Sequence, residues 1–289
     1  MPISVLTLEG KSVTGLQATN LKASIRGTPV QIVSVEPYVK SPRIVLVIDA
    51  SSSMTSNPEI WHVYLGMAEH LLTNLPESTP LALEVFATHI ERTLSLTLDR
   101  AKLRTELKSL ENISKIMPSK EQLTSLWEAV QAAPKLLGTP ELGDVVLVLT
   151  DAGNSYGKAT FRSAAESLRS SGIRLFWFFV EGPPRNTPEE LSGLRDFEDL
   201  VNDTGGVVVS VLRSTIDRNS PFIDTSGRDT ATGFRLERLY QIMLNIYRLE
   251  IGFPSPLQKG ARWDLKVKVP NTAGLEVYYP PRLSDCGTQ

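Results

Sequence analysis

The chain is poor in cysteine and histidine, and this scarcity excludes several kinds of site. Its 289 residues contain a single cysteine, Cys286, so no disulfide can form within the chain. The histidines are His62, His70 and His89, and no Cys or Glu joins them at the spacing of zinc ligands. The sequence therefore argues against a disulfide-stabilised scaffold and against a zinc enzyme.

The sequence also lacks the charge and the apolar runs that mark nucleic-acid-binding and membrane-spanning proteins. Thirty basic residues against thirty-two acidic ones leave a net charge of −2, without a basic cluster. No apolar run approaches the roughly 20 residues that a spanning helix requires. We expect no nucleic-acid partner and no transmembrane segment. The N-terminus lacks signal-peptide features, which fits an intracellular protein or one whose leader was removed.

Motifs of two common enzyme classes are missing as well. The chain has no Gly-x-Ser-x-Gly elbow and no histidine after position 89, as a serine hydrolase would require. It also has no Gly-x-x-x-x-Gly-Lys loop to hold a nucleotide phosphate. These absences favour binding over catalysis.

The middle of the chain alternates strand-like and helix-like segments. Apolar runs at 44–48 and 144–150 read as buried strands, and helical patterns follow both of them. This alternation predicts an α/β fold, a doubly wound and mostly parallel sheet flanked by helices. A polar stretch at 213–231 predicts a long loop, and the amphipathic segment 232–248 predicts a last helix. Its apolar positions are Leu236, Leu239, Met243 and Ile246.

The two ends of the chain have a different pattern. Residues 1–40 and 249–289 hold short runs of alternating polarity separated by turn residues, which is typical of antiparallel strands. A single pair of strands is only marginally stable in water. We therefore expect the two ends to pair into one small β-sheet subdomain beside a central domain at 41–248.

Oxygen-bearing side chains follow the buried strands. Asp49, Ser51 and Ser53 come directly after the first strand, and Asp151 follows the second. Thr124 stands where a helix is predicted to begin. Ligands of open α/β sheets bind at the carboxyl ends of strands, and an extended loop would point Asp49, Ser51 and Ser53 to one side. Two carboxylates and three hydroxyls form the all-oxygen set that Mg²⁺ or Mn²⁺ prefers.

A simpler interpretation of the serines stays open. Asp and Ser are favoured in turns and helix caps, so Ser53 could cap the following helix and Asp49 could accept its first amide protons. The placement of Asp151 after a second buried strand, together with Thr124, favours the metal site.

The motif Asp49-Ala-Ser51-Ser-Ser53 resembles the Asp-x-Ser-x-Ser signature of von Willebrand factor A (vWA) domains. Thr124 in "TSLWEAV" and Asp151 in "VLTDAGN" resemble the Thr and Asp that complete the family's metal-ion-dependent adhesion site (MIDAS). The match spans about 41–248. It implies a vWA fold and a site where Asp49, Ser51, Ser53, Thr124 and Asp151 bind Mg²⁺ or Mn²⁺, together with an Asp or Glu from a protein ligand.

The flanking segments are similar to a bacterial group of vWA-related proteins, found notably in acidobacteria. Its members are usually exported, so the resemblance implies a secreted or periplasmic protein. Two departures stand out. Gln122 and Leu123 occupy positions where this group commonly has glycines before the Thr, and Ala152 replaces the glycine that follows the Asp.

The combined prediction is a non-enzymatic, metal-dependent protein-binding module. One alternative is a structural or assembly domain that binds metal incidentally. Another is magnesium-dependent phosphoryl transfer with Asp49 as nucleophile. Haloacid-dehalogenase-like phosphatases work in that way, but they need a second Asp two residues on, and Ser51 stands there. The partner's identity and the oligomeric state stay open.

Overall fold

The computed structural model describes residues 1–113, 123–181, 188–212, 231–253, 263–270 and 274–283. Cys286, Gln122 and almost all of the predicted 213–231 loop lie outside these ranges. Seven α-helices are described: α1 (Ser52–Thr55), α2 (Pro58–Asn74), α3 (Arg100–Leu110), α4 (Leu126–Ala132), α5 (Phe161–Ser171), α6 (Pro188–Asp203) and α7 (Ala231–Leu244). Short 3-10 helices occupy Ala18–Asn20 and Ala133–Leu137.

The described strands form two sheets. In chain order they are β1 (Pro2–Thr7), β2 (Lys22–Ile25), β3 (Thr28–Pro37), β4 (Ile44–Asp49), β5 (Leu81–Phe86), β6 (Ile90–Thr97), β7 (Val145–Leu149), β8 (Arg174–Glu181), β9 (Val208–Leu212), β10 (Tyr247–Gly252), β11 (Trp263–Lys268), β12 (Leu275–Tyr278) and β13 (Arg282–Leu283).

The central sheet has six strands in the order β6-β5-β4-β7-β8-β9. All neighbours pair in parallel except β5 and β6, which form the antiparallel hairpin at one edge. Strands β4 and β7 lie in the middle and every residue in them is buried, because helices cover both faces of the sheet. Their uninterrupted apolar runs are the consequence of this double burial. The predicted α/β class is confirmed.

Helices pack on the two faces in separate cores. On one face, Trp61 of α2, Leu107 of α3 and Leu239 of α7 pack against the strands. On the other face, Val130 of α4 and Leu168 of α5 do the same, together with part of α6. Among the described residues, no helix is both long enough and apolar enough to span a bilayer.

The terminal segments build a second, seven-stranded sheet in the order β12-β1-β10-β3-β2-β11-β13. The N-terminal strand β1 lies between β10 and β12, both from the C-terminal part, and all pairings are antiparallel. The predicted joining of the two ends is confirmed. This sheet contacts the central domain directly: Ser4 Oγ donates to the Ile242 carbonyl of α7, and Arg282 pairs with Asp203 at the end of α6.

The last helix is shorter than predicted. It ends at Leu244, and Tyr247 already lies in β10. Ile246 is buried, but it belongs to the connection between the two elements, since its carbonyl accepts a hydrogen bond from Tyr38 N. The apolar spacing therefore continued two residues past the end of the helix, because Ile246 is buried in the connection although its backbone is no longer helical.

Candidate metal centre

The segment after β4 turns sharply at Asp49. The Asp49 Oδ1 atom accepts a hydrogen bond of 2.9 Å from Ser51 N, and α1 begins at Ser52 with Ser51 at the N-cap. The Ser51 and Ser53 hydroxyl oxygens lie 3.1 Å apart. The expectation of an extended loop here was wrong, because the Asp49 carboxylate bonds the amide two residues on and starts a helical turn. The two hydroxyls nevertheless share one side.

Asp49 is completely buried and has polar partners on both carboxylate oxygens. Its Oδ2 accepts a hydrogen bond of 2.6 Å from Thr150 Oγ1, and its Oδ1 is the atom bonded by Ser51 N. Burial, and then the nearby charge of Asp151, raise the pKa of Asp49 to about 7 against the opposing effect of these hydrogen bonds. A buried carboxylate close to a second one is an environment that a cation would stabilise.

Asp151 and Thr124 converge from two other segments. Asp151 follows β7, and its Oδ1 accepts a 3.1 Å hydrogen bond from Gly153 N. A β-carbon placed on Gly153 would stand 3.2 Å from Asp151 Oδ1 and 3.9 Å from Thr124 Oγ1. The two side-chain oxygens therefore lie on the same side of Gly153. Thr124 does not open a helix as expected, because α4 begins at Leu126 and Ser125 is its N-cap.

Hydrogen bonds fasten Thr124 to the segment that follows Asp151. Ser155 Oγ accepts from Thr124 N at 3.0 Å, and the Thr124 carbonyl accepts from Ser155 N and Tyr156 N. Further along, Glu128 of α4 accepts from the backbone amides of Lys158 and Ala159. Loop 153–159 and the start of α4 therefore form one bonded unit, which fixes Thr124 relative to Asp151.

Sequence reasoning missed Thr150 and Ser155, the residues that orient Asp49 and Thr124. Thr150 donates to Asp49 Oδ2 and accepts from Ala152 N. A signal was present, since Thr150 is the first polar residue after the apolar run of β7. Ser155 carried no comparable signal, because its contact with Thr124 joins residues 31 positions apart.

Ala152 adopts a conformation that glycine favours. Its φ is +62° and its side chain is almost fully buried. Left-handed backbone costs a non-glycine residue on the order of 1 kcal/mol. Alanine, the smallest side chain with a β-carbon, fits this turn and keeps the geometry that aligns Asp151 with Gly153 N.

The donor set suits a hard divalent cation. All candidate ligand atoms are oxygens, and their exposure increases from buried Asp49, Ser51 and Thr124 to half-buried Asp151 and exposed Ser53. The candidate ligands thus form a site that is closed toward the protein interior and open to solvent on the side of Asp151 and Ser53. It holds only two carboxylates, in agreement with the finding that no three His, Cys, Asp or Glu side chains cluster in the described part of the chain.

Comparisons with known proteins identify the fold. The model of the von Willebrand factor type A domain family matches residues 44–199. A von Willebrand factor type A structure from Catenulispora acidiphila aligns with 98% of this chain and 72% of its own, at 11% identity and a TM-score of 0.50. The conserved hypothetical protein BatB from Bacteroides thetaiotaomicron aligns over 68% of this chain and 98% of its own. Its identity is 18% and its TM-score 0.46. No curated protein sequence matched.

Proposed function

Because the chain belongs to the von Willebrand factor type A domain family, we propose that it is a protein-binding module that depends on a divalent metal ion. Domains of this family are protein-interaction modules, often metal-dependent and mostly non-enzymatic. The observation that carries the proposal is the position of Asp49, a fully buried carboxylate close enough to Asp151 for the second charge to raise its pKa. A cation between or beside the two carboxylates would offset the free-energy cost of burying negative charge there.

We assign the ion as Mg²⁺ or Mn²⁺, held by five side chains. Ser51, Ser53 and Thr124 would supply hydroxyl oxygens as ligands, while Asp49 and Asp151 would supply negative charge and orient water. The bound ion would supply a Lewis-acidic position that attracts an anionic oxygen. Because the three side chains in direct contact with the ion would be neutral hydroxyls, the ion would keep a strong attraction for an Asp or Glu carboxylate of a protein partner at its open position.

The non-enzymatic role is part of the proposal. A phosphatase using Asp49 as nucleophile would need that carboxylate accessible, whereas it is fully buried and bonded on both oxygens. We expect no metal-dependent turnover of a phosphate ester such as p-nitrophenyl phosphate. Turnover that disappears in Asp49→Ala would instead support the phosphoryl-transfer alternative.

Metal binding is tested by isothermal titration of the metal-free protein with Mn²⁺ and Mg²⁺. We expect saturable binding to one site, and loss of that binding in Asp49→Ala. The matched control is Asp99→Ala, because Asp99 caps α3 and has no contact with the candidate centre. Equal binding by Asp49→Ala and the unchanged protein would refute the site. Thermal denaturation of both variants checks that they fold.

Partner binding is tested by capturing proteins from the native cells with and without EDTA. Partners retained by the unchanged protein should be released by EDTA and should be missing from Asp49→Ala. Partners that stay bound in EDTA and also bind Asp49→Ala would favour the structural or assembly role. We further propose that the protein is exported, and fractionation of the native cells should place it outside the cytoplasm.

A further inference from the structure

Three exposed side chains, two of them large and apolar, form a ledge beside Thr124. The ledge consists of His89 at the β5–β6 turn, Leu123 directly before Thr124, and Tyr156 in the loop after Asp151. Leu123 is 42% exposed and Tyr156 is 45% exposed. The His89 and Tyr156 rings meet edge to face, with 5.7 Å between their centroids. Leu123, Tyr156 and the imidazole ring of His89 give this rim a surface on which an apolar side chain of a partner can pack.

Hydrogen bonds around Thr124 hold the ledge in place. Thr88 Oγ1 accepts from Leu123 N at 3.0 Å, and the Thr88 carbonyl accepts from Ser125 Oγ at 2.6 Å. Tyr156 N donates to the Thr124 carbonyl at 3.1 Å. The three segments that carry the ledge therefore meet at one candidate metal ligand. A surface fixed in this way loses little conformational entropy when a partner binds.

We propose that the ledge receives an apolar or aromatic side chain next to the partner's metal-directed carboxylate. This inference rests on the proposed function. Neighbouring residues of a peptide are 3.8 Å apart at their α-carbons, so a carboxylate directed to the centre brings its flanking residues over Leu123 and Tyr156. The partner segment is accordingly an Asp or Glu flanked by Leu, Ile, Phe or Tyr. The ledge provides the selectivity that the ion, which attracts any carboxylate, does not provide.

The test is a displayed library of heptapeptides with aspartate fixed at the centre and all other positions random. The library is selected on the immobilised protein in Mg²⁺, and bound peptides are eluted with EDTA. We expect apolar and aromatic residues to be enriched at least fivefold beside the aspartate. The enrichment should vanish on a Leu123→Ser/Tyr156→Ser double variant. A selected peptide should bind this variant at least tenfold more weakly, in line with the loss of a tyrosine contact at an interface.

The matched control is Leu98→Ser. Leu98 is 56% exposed and follows β6, at the end of that strand opposite to His89, so its substitution should leave the selected peptides unchanged. The proposed role of the ledge would be refuted if the peptides eluted by EDTA showed no apolar preference, or if they showed the same preference on the double variant. Either result would leave the proposal of metal-dependent binding intact. A library yielding no more EDTA-eluted peptide from the unchanged protein than from Asp49→Ala would overturn both proposals.

Discussion

Glu84 gives a quantitative test of the electrostatics of the core. It lies in β5 on the face shared by Ala82 and Phe86, and its side chain is only 1% exposed. Within the described part of the chain, its Oε1 atom has no hydrogen-bond partner. Burial raises the pKa of Glu84 to about 8, against a smaller opposing attraction from Lys135. The folded protein therefore holds this carboxyl group in its neutral form at pH 7.

The sign of the effect follows from the raised pKa. In the unfolded chain Glu84 ionises near its ordinary pKa of 4.5, while in the folded protein it resists ionisation up to about 8. The free energy of unfolding therefore falls as the pH rises through this window. At about 1.4 kcal/mol per pKa unit, the decrease between pH 5 and pH 8.5 amounts to about 4 kcal/mol. Glu84→Gln removes this dependence, because the amide does not titrate.

The assay is urea denaturation of both proteins at pH 5, 7 and 8.5 in EDTA. The stability of Glu84→Gln relative to the unchanged protein should increase by about 4 kcal/mol from the lowest to the highest pH. The control is Glu91→Gln, because Glu91 is exposed in the neighbouring strand β6, and it should show no such increase. A stability difference between Glu84→Gln and the unchanged protein that stays constant with pH would refute the idea that Glu84 is buried in its neutral form.

Further predictions concern the strained turn, the contact between the sheets and the orientation of Asp49. Ala152→Val should lower the free energy of unfolding by about 2 kcal/mol or more, because a buried β-branched residue at positive φ is strained. The control is Ala152→Gly, whose stability should stay within about 1 kcal/mol of that of the unchanged protein. Equal stabilities of the two variants in thermal denaturation would contradict the prediction. Asp203→Ala should lower the free energy of unfolding by about 3 kcal/mol, because it leaves the largely but not fully buried Arg169 unpaired. Arg282→Ala removes only a half-exposed partner of Asp203 and should cost under about 1 kcal/mol; urea denaturation measures both. Thr150→Val removes the hydrogen bond to the Asp49 carboxylate and should weaken Mn²⁺ binding by about 10- to 100-fold in calorimetry; an unchanged affinity would exclude an orienting role.

Local sequence accounts for most of the secondary structure. Proline at the first position of α2 and the Asn57 side chain that caps it mark the start of that helix. The continuous apolar runs of β4 and β7 predicted strands buried on both faces. The prediction failed at the end of α7, where Ile246 continued the helical spacing although its backbone had left the helix. Periodicity alone could not separate these cases, because Ile246 is buried just as the apolar positions of the helix are.

The sequence predicted which residues belong to the candidate site better than it predicted how they are arranged. Asp49, Ser51 and Ser53 are close in sequence, and the structure brings the two hydroxyls into contact. The approach of Thr124 to Asp151 depends on hydrogen bonds to Ser155, which no local pattern identifies. Coordination of a metal by these residues stays a prediction.

The sequence by itself determined the α/β class, the pairing of the two chain ends and the residue types available at the strand ends. These follow from apolar periodicity and from turn and cap chemistry, which act over a few residues. Only the tertiary structure decided that Asp49 is buried beside Asp151, that Thr150 bonds it, and that Leu123 and Tyr156 lie on one rim. Those facts depend on contacts between segments up to about a hundred residues apart, and such contacts exist only after the sheet has assembled and its loops have met.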